Sequence, residues 1–179
     1  MNIFLAPHSD DEALFGTYII NRTKARVVVV TDGTSHLEKF GVKLEERRNE
    51  SREAMKLLGV ETDFLRIGEE DLTADRLKLA LSLLESPDRV FAPAQQGGHY
   101  HHDLVSSVAK KLWGDRVLYY STYSEASLTP TGEIAIYPKD EAEEQLKQKV
   151  LACYTSQLRI NPHHFEAVRG FPEYLNFHA

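Results

Sequence analysis

The chain has 179 residues, a net charge of −6 and one cysteine, Cys153. That length suits a single domain, residues 1–179, able to bury a core, and the acidic balance argues against a nucleic-acid partner, which needs clustered positive charge. One cysteine excludes an internal disulfide, no apolar run nears the roughly 20 residues of a transmembrane segment, and the first residues lack the pattern of a secretory leader, so a cytoplasmic location is expected.

The elements alternate along the chain. Ile3–Ala6 reads as a short buried strand, and Glu12–Asn21 as a helix with Ala13, Leu14, Tyr18 and Ile19 on one side. Arg26–Thr31 holds Val27-Val28-Val29-Val30, β-branched on both faces, which suits a central parallel strand. Val42–Leu58 reads as a helix, with Leu44, Arg47, Ser51, Ala54, Met55 and Leu58 at three- and four-residue spacing, and stops at Gly59. Asp63–Ile67 is a strand, and Thr73 caps a helix from Ala74 to about Glu85. Arg89–Ala92 is a strand, Asp103–Trp113 a helix and Val117–Thr122 a strand. A Ser, Thr, Pro and Gly-rich stretch follows, with a short strand at Glu133–Tyr137, then a helix over Asp140–Tyr154 and a mixed aromatic tail. The alternation predicts a Rossmann-like α/β fold. It should have three layers (α/β/α) and a mostly parallel sheet in strand order 3-2-1-4-5.

In such a sheet, ligands bind beyond the carboxyl ends of the strands where the order reverses. Pro7-His8-Ser9-Asp10-Asp11-Glu12 follows strand one, and Gly97-Gly98-His99-Tyr100-His101-His102-Asp103 follows strand four. The predicted order makes these strands neighbours, so two polar segments some ninety residues apart converge. Adjacent carboxylates repel; a divalent cation offsets this. A set of two imidazoles and one carboxylate suits zinc with a position open for water, leaving a further carboxylate as general base. Taken separately, the acid pair also reads as a helix start favoured by the macrodipole, and the histidine loop as a solvated turn.

At these residues the chain resembles the PIG-L/LmbE-like superfamily of zinc-dependent de-N-acetylases. Pro7-His8-Ser9-Asp10-Asp11-Glu12 is similar to its first motif, and His99-Tyr100-His101-His102 to its His-Pro-Asp-His motif. Weaker marks are Thr31-Asp32-Gly33, Arg47 with Glu50 and Ala54, and Lys149 with Tyr154-Thr155-Ser156-Gln157. The resemblance implies zinc, or another divalent transition metal, on His8, Asp11 and His102. It implies Asp10 as general base and His99 as oxyanion stabiliser or acid. Arg47, His101 and His36 are candidate substrate contacts. The implied reaction is hydrolysis of the N-acetyl amide of an amino sugar or its conjugate, by a chain that acts alone or as a homo-oligomer. Hydratase chemistry on the same site and a degenerate metal-binding module are the alternatives. One departure stands out: Tyr100-His101 replaces the family's Pro-Asp, so the negative charge beside His99 is missing. Asp103 is a candidate to replace it, or to cap the helix. His163 and His164, near Asn161-Pro162, are candidates to line the cleft, but a surface turn is the expectation.

Overall fold

The computed structural model describes residues 1–33 and 38–179; His36, one of the candidate substrate contacts, lies outside the described residues. The strands are β1 (Asn2–Ala6), β2 (Arg26–Thr31), β3 (Thr62–Ile67), β4 (Arg89–Pro93), β5 (Val117–Tyr120), β6 (Ile134–Ile136) and β7 (Glu173–Asn176). The helices are α1 (Asp11–Phe15), α2 (Thr17–Thr23), α3 (Leu44–Leu58), α4 (Ala74–Ser82), α5 (Tyr100–Trp113), α6 (Glu141–Ala152), α7 (Thr155–Ile160) and α8 (Pro162–Val168).

One sheet runs in the order β3-β2-β1-β4-β5-β7-β6. Its first five strands are parallel and match the expected 3-2-1-4-5; β7 and β6 extend it antiparallel. The four valines of β2 explain themselves here. Val27 and Val29 join Phe4, Met55, Val150 and Phe165 on one face, while Val28 and Val30 join Leu5, Leu77, Leu81 and Val105 on the other. A strand covered on both sides has no polar face to alternate with.

Three differences from the sequence reading have local causes. The first helix breaks at Gly16, because the backbone there lies against the Phe4 ring: a Cβ would sit 2.4 Å from Phe4 Cζ. Helix α5 starts three residues before the expected Asp103, with His99 as its N-cap. The tail is ordered as α7, α8 and β7. Its anchor is Glu173, buried on β7, whose carboxylate accepts from the backbone amides of Tyr18 and Ile19 and from Lys147 Nζ at 2.9 Å. By contrast, Gly59 ends α3 as expected, in the left-handed region at φ 66.

Candidate functional site

Strand β1 lies between β2 and β4, so its carboxyl end is the point where the strand order reverses. Thr31 of β2 pins the turn that follows: its backbone amide (3.0 Å) and its Oγ1 (2.7 Å) both donate to the carbonyl of Pro7. The His8 carbonyl then accepts from the amide of Asp10 at 3.0 Å, and the His8 amide donates to Asp11 Oδ2 at 2.8 Å. This tight turn points Asp10 and Asp11 in different directions although they are adjacent.

The second segment is held against β5. Thr122 donates its amide to Gln96 Oε1 at 2.7 Å. Gly98 passes so close to the Tyr123 backbone that a Cβ would lie 2.2 Å from its carbonyl oxygen. His99 caps α5, its Nδ1 accepting from the His101 amide at 3.2 Å, and this leaves its ring proton on Nε2. His102 is buried in the first turn, with Nδ1 3.1 Å from Thr122 Oγ1. That hydroxyl already donates to the Tyr123 carbonyl, so it accepts from His102 Nδ1–H.

The two segments meet. His102 Nε2 lies 3.2 Å from Asp11 Oδ1, and His8 Nδ1 lies 3.3 Å from Asp11 Oδ2. With its proton on Nδ1, His102 turns a bare lone pair at Nε2 toward a carboxylate oxygen, and that buried nitrogen has no hydrogen bond. Two acceptors facing each other in the dry interior call for a cation between them. The spacing fits one: ligands about 2.1 Å from a tetrahedral ion stand about 3.4 Å apart. Among the described residues, His8, Asp11 and His102 could hold a metal ion, each offering a ligand atom within 4.8 Å of the others, and so could His8, His99 and His101.

A proton can fill the same place as a cation: burial alone would raise the Asp11 pKa, but the imidazoles of His102 and His8, once protonated, outweigh it and hold the carboxyl well below the usual range. Burial would likewise lower His8, and Asp11 pulls it up instead. His99 and His101 are pushed down to about 4, first by burial and then by the other imidazoles, so both rings are neutral near pH 7.

Asp10 stays outside the His8–Asp11–His102 set and borders a cleft of about 150 Å³. Its Oδ2 lies 3.1 Å from Arg47 Nη2, a guanidinium only 2% exposed. Arg48, next in sequence, turns away and pairs with Asp32 at 3.0 Å. Of the weaker sequence marks, Glu50 and the Tyr154-Thr155-Ser156 stretch form a frame behind the site. Glu12 accepts from Ser51 Oγ and, at 2.6 Å, from Tyr154 OH, and burial raises its pKa to about 7. Glu50 accepts from the Ser156 amide at 2.6 Å and hydroxyl at 2.7 Å.

The structure therefore brings His8, Asp10, Asp11, His99, His101, His102 and Arg47 to one place. Asp103 neither caps α5, a task taken by His99, nor reaches that ring; its Oδ1 faces the Gly97 amide at 3.5 Å. His164 is not in a surface turn: it lies on α8 and lines the cleft, its ring 5.3 Å from that of Tyr123. Glu69 and Asn161 also line the cleft, and nothing in their sequence surroundings marks them.

A family model described as PIG-L, GlcNAc-PI de-N-acetylase, matches residues 3–113. The chain belongs to this family. Among solved structures, it is similar to a conserved protein from Thermus thermophilus, with TM-score 0.70 and 18% identity over 98% of this chain and 93% of that one. It is also similar to a teicoplanin deacetylase in a zinc-inhibited form, with TM-score 0.67 and 15% identity over 96% and 95%. A third is the 4-carboxy-2-hydroxymuconate hydratase of Pseudomonas putida, with TM-score 0.65 and 13% identity over 97% and 94%. At these identities the likeness is one of fold. No curated protein matches the chain. No helix among the described residues is long and apolar enough to cross a membrane.

Proposed function

We propose that this chain, as one domain over residues 1–179, is a zinc-dependent deacetylase that hydrolyses the N-acetyl amide of an amino sugar or amino-sugar conjugate. The observation that carries the reading is the pair of opposed lone pairs at His102 Nε2 and Asp11 Oδ1, with a separate carboxylate, Asp10, facing the cleft beside them. His8, Asp11 and His102 hold the ion, and imidazole with carboxylate suits zinc among the divalent transition metals. When bound, the metal polarises the amide carbonyl and makes water nucleophilic at neutral pH.

The other roles belong to the chain itself. Asp10 accepts the proton of the attacking water as general base. Arg47 orients that carboxylate through its contact at 3.1 Å. His99, neutral and protonated at Nε2, donates a hydrogen bond to the oxygen on which negative charge develops. The proton taken by Asp10 passes to the amide nitrogen, which leaves as a free amine while acetate departs.

The reading draws on family membership and on the deacetylase among the similar folds. The hydratase of like fold supplies a second reading, addition of water to a carbon–carbon double bond by the same base. The test is acetate release from a panel of N-acetyl sugars and conjugates with zinc supplied. Acetate formation that is lost on chelation and restored by zinc supports hydrolysis. No acetate from any member, with turnover of an unsaturated hydroxy acid, would transfer the site to the hydratase reading.

A further inference from the structure

The histidine that stands where the resemblance expects an aspartate has its own partners. Nδ1 of His101 lies 2.9 Å from Nε2 of His8. The same ring hydrogen-bonds to the backbone carbonyl of Glu69, in the short turn that follows β3. A neutral imidazole carries one ring proton. Since the carbonyl can only accept, that proton is on the nitrogen facing Glu69. Nδ1 of His101 is then an acceptor, and the proton between the two rings belongs to Nε2 of His8. The remaining lone pair of His8 is on Nδ1, the nitrogen 3.3 Å from Asp11 Oδ2.

We propose that His101 is a positioning residue for the metal ligand His8: by accepting from His8 Nε2–H and anchoring to the Glu69 carbonyl, it selects the tautomer that presents Nδ1 to the ion. A metal-bound histidine usually gives its second N–H to a carboxylate, carbonyl or water. Here the acceptor is a neutral imidazole, so the tautomer is selected without a negative charge being pushed toward the metal. The contact of His101 with substrate that its place in the motif suggests is replaced by a contact with the site's own ligand. A second ion bound by His8, His99 and His101, whose ring nitrogens also lie within 4.8 Å of one another, is the competing arrangement. It would need the lone pair on His8 Nε2 and would disrupt the cap formed by His99 Nδ1.

The proposal rests on His8, Asp11 and His102 being the metal site, and the experiment separates the two. Zinc affinity is measured by competition with a chromophoric chelator for the unaltered protein and for His101→Leu, His101→Asn and Asp11→Asn. The expected result is a 10- to 100-fold loss of affinity in His101→Leu, as for other partners of metal-bound histidines. His101→Asn, whose side-chain oxygen occupies the place of Nδ1, should recover most of it. Long-range proton–nitrogen NMR of the zinc-loaded protein should show His8 protonated at Nε2. His101 is half-buried in the first turn of α5, so the substitutions leave the core untouched. Zinc affinity in His101→Leu within twofold of the original, or a His8 proton on Nδ1, overturns the proposal. So does a second zinc per chain that His101→Leu removes. If Asp11→Asn also binds as before, the metal site itself is misassigned; if only Asp11→Asn weakens binding, the site stands and the role of His101 falls.

Discussion

Replacing Asp10 by asparagine separates base catalysis from metal binding. Asp10 lies outside the His8–Asp11–His102 set but beside it, and its Oδ2 contacts Arg47 Nη2 at 3.1 Å. General-base catalysis contributes about 10²- to 10⁴-fold, so Asp10→Asn should lower kcat by that factor, or about 3–5 kcal/mol of barrier. The substitution also costs stability, since a hydrogen bond between charged groups is worth about 1.5–3 kcal/mol. Arg47 keeps Glu50 at 3.7 Å as a second carboxylate, which places the loss toward the lower end. For a chain of this size each kcal/mol moves Tm by about 2–4 °C. The assay is acetate release under saturating substrate, with zinc content by mass spectrometry and Tm by calorimetry on the same samples. Asp11→Asn is the control and should lose zinc. An Asp10→Asn enzyme within tenfold of the original rate, fully loaded with zinc, would refute the base assignment. Loss of zinc equal to that in Asp11→Asn would place Asp10 among the ligands instead.

Three other outcomes follow from the packing. Gly98→Ala puts a methyl group 2.2 Å from the Tyr123 carbonyl, so the loop carrying His99 must shift; activity should fall on the order of 10- to 100-fold, and a variant with unchanged kcat/KM would show that the loop tolerates the shift. Glu173→Ala leaves the Lys147 ammonium buried without its carboxylate and should cost about 3–5 kcal/mol in urea unfolding, only part of it recovered when Lys147→Met is added, because the Tyr18 and Ile19 amides still lack their acceptor; a loss below about 1 kcal/mol would refute the anchoring role. The Arg22 guanidinium and its hydrogen bonds hold the Glu143 carboxyl down at about 2, below its ordinary value of 4.5. A depressed carboxylate stabilises the fold above its unfolded pKa, and this contribution fades as pH falls from about 4.5 to about 2. Because Arg22 remains partly solvated, about 1–2 kcal/mol is expected. Acid unfolding curves should show that slope in the original protein and a flatter one in Glu143→Gln; parallel curves would remove the pair from the acid response.

The amino-acid order determined the parallel half of this protein. Four consecutive valines admit only a strand covered on both faces, and Gly59 admits only a helix end, because these preferences act within a few residues. The first acid motif was legible in part: adjacent carboxyl groups beside a histidine suit a compensating charge, but the same letters also suit a helix start, and Glu12 in fact turns to Ser51 and Tyr154. Tertiary structure decided what depends on groups far apart in the chain. The strand order placed the start of the chain against residues near position 100. The buried carboxylate of Glu173 turned an aromatic tail into a seventh strand by capping a helix some 155 positions earlier. The tail also brought His164 into the cleft, where its position in sequence suggested an exposed turn. Most of all, the direction of the His101 ring is absent from the letters. Its partners are His8 and the Glu69 carbonyl, from two other loops, and only their assembly decides which nitrogen carries the proton.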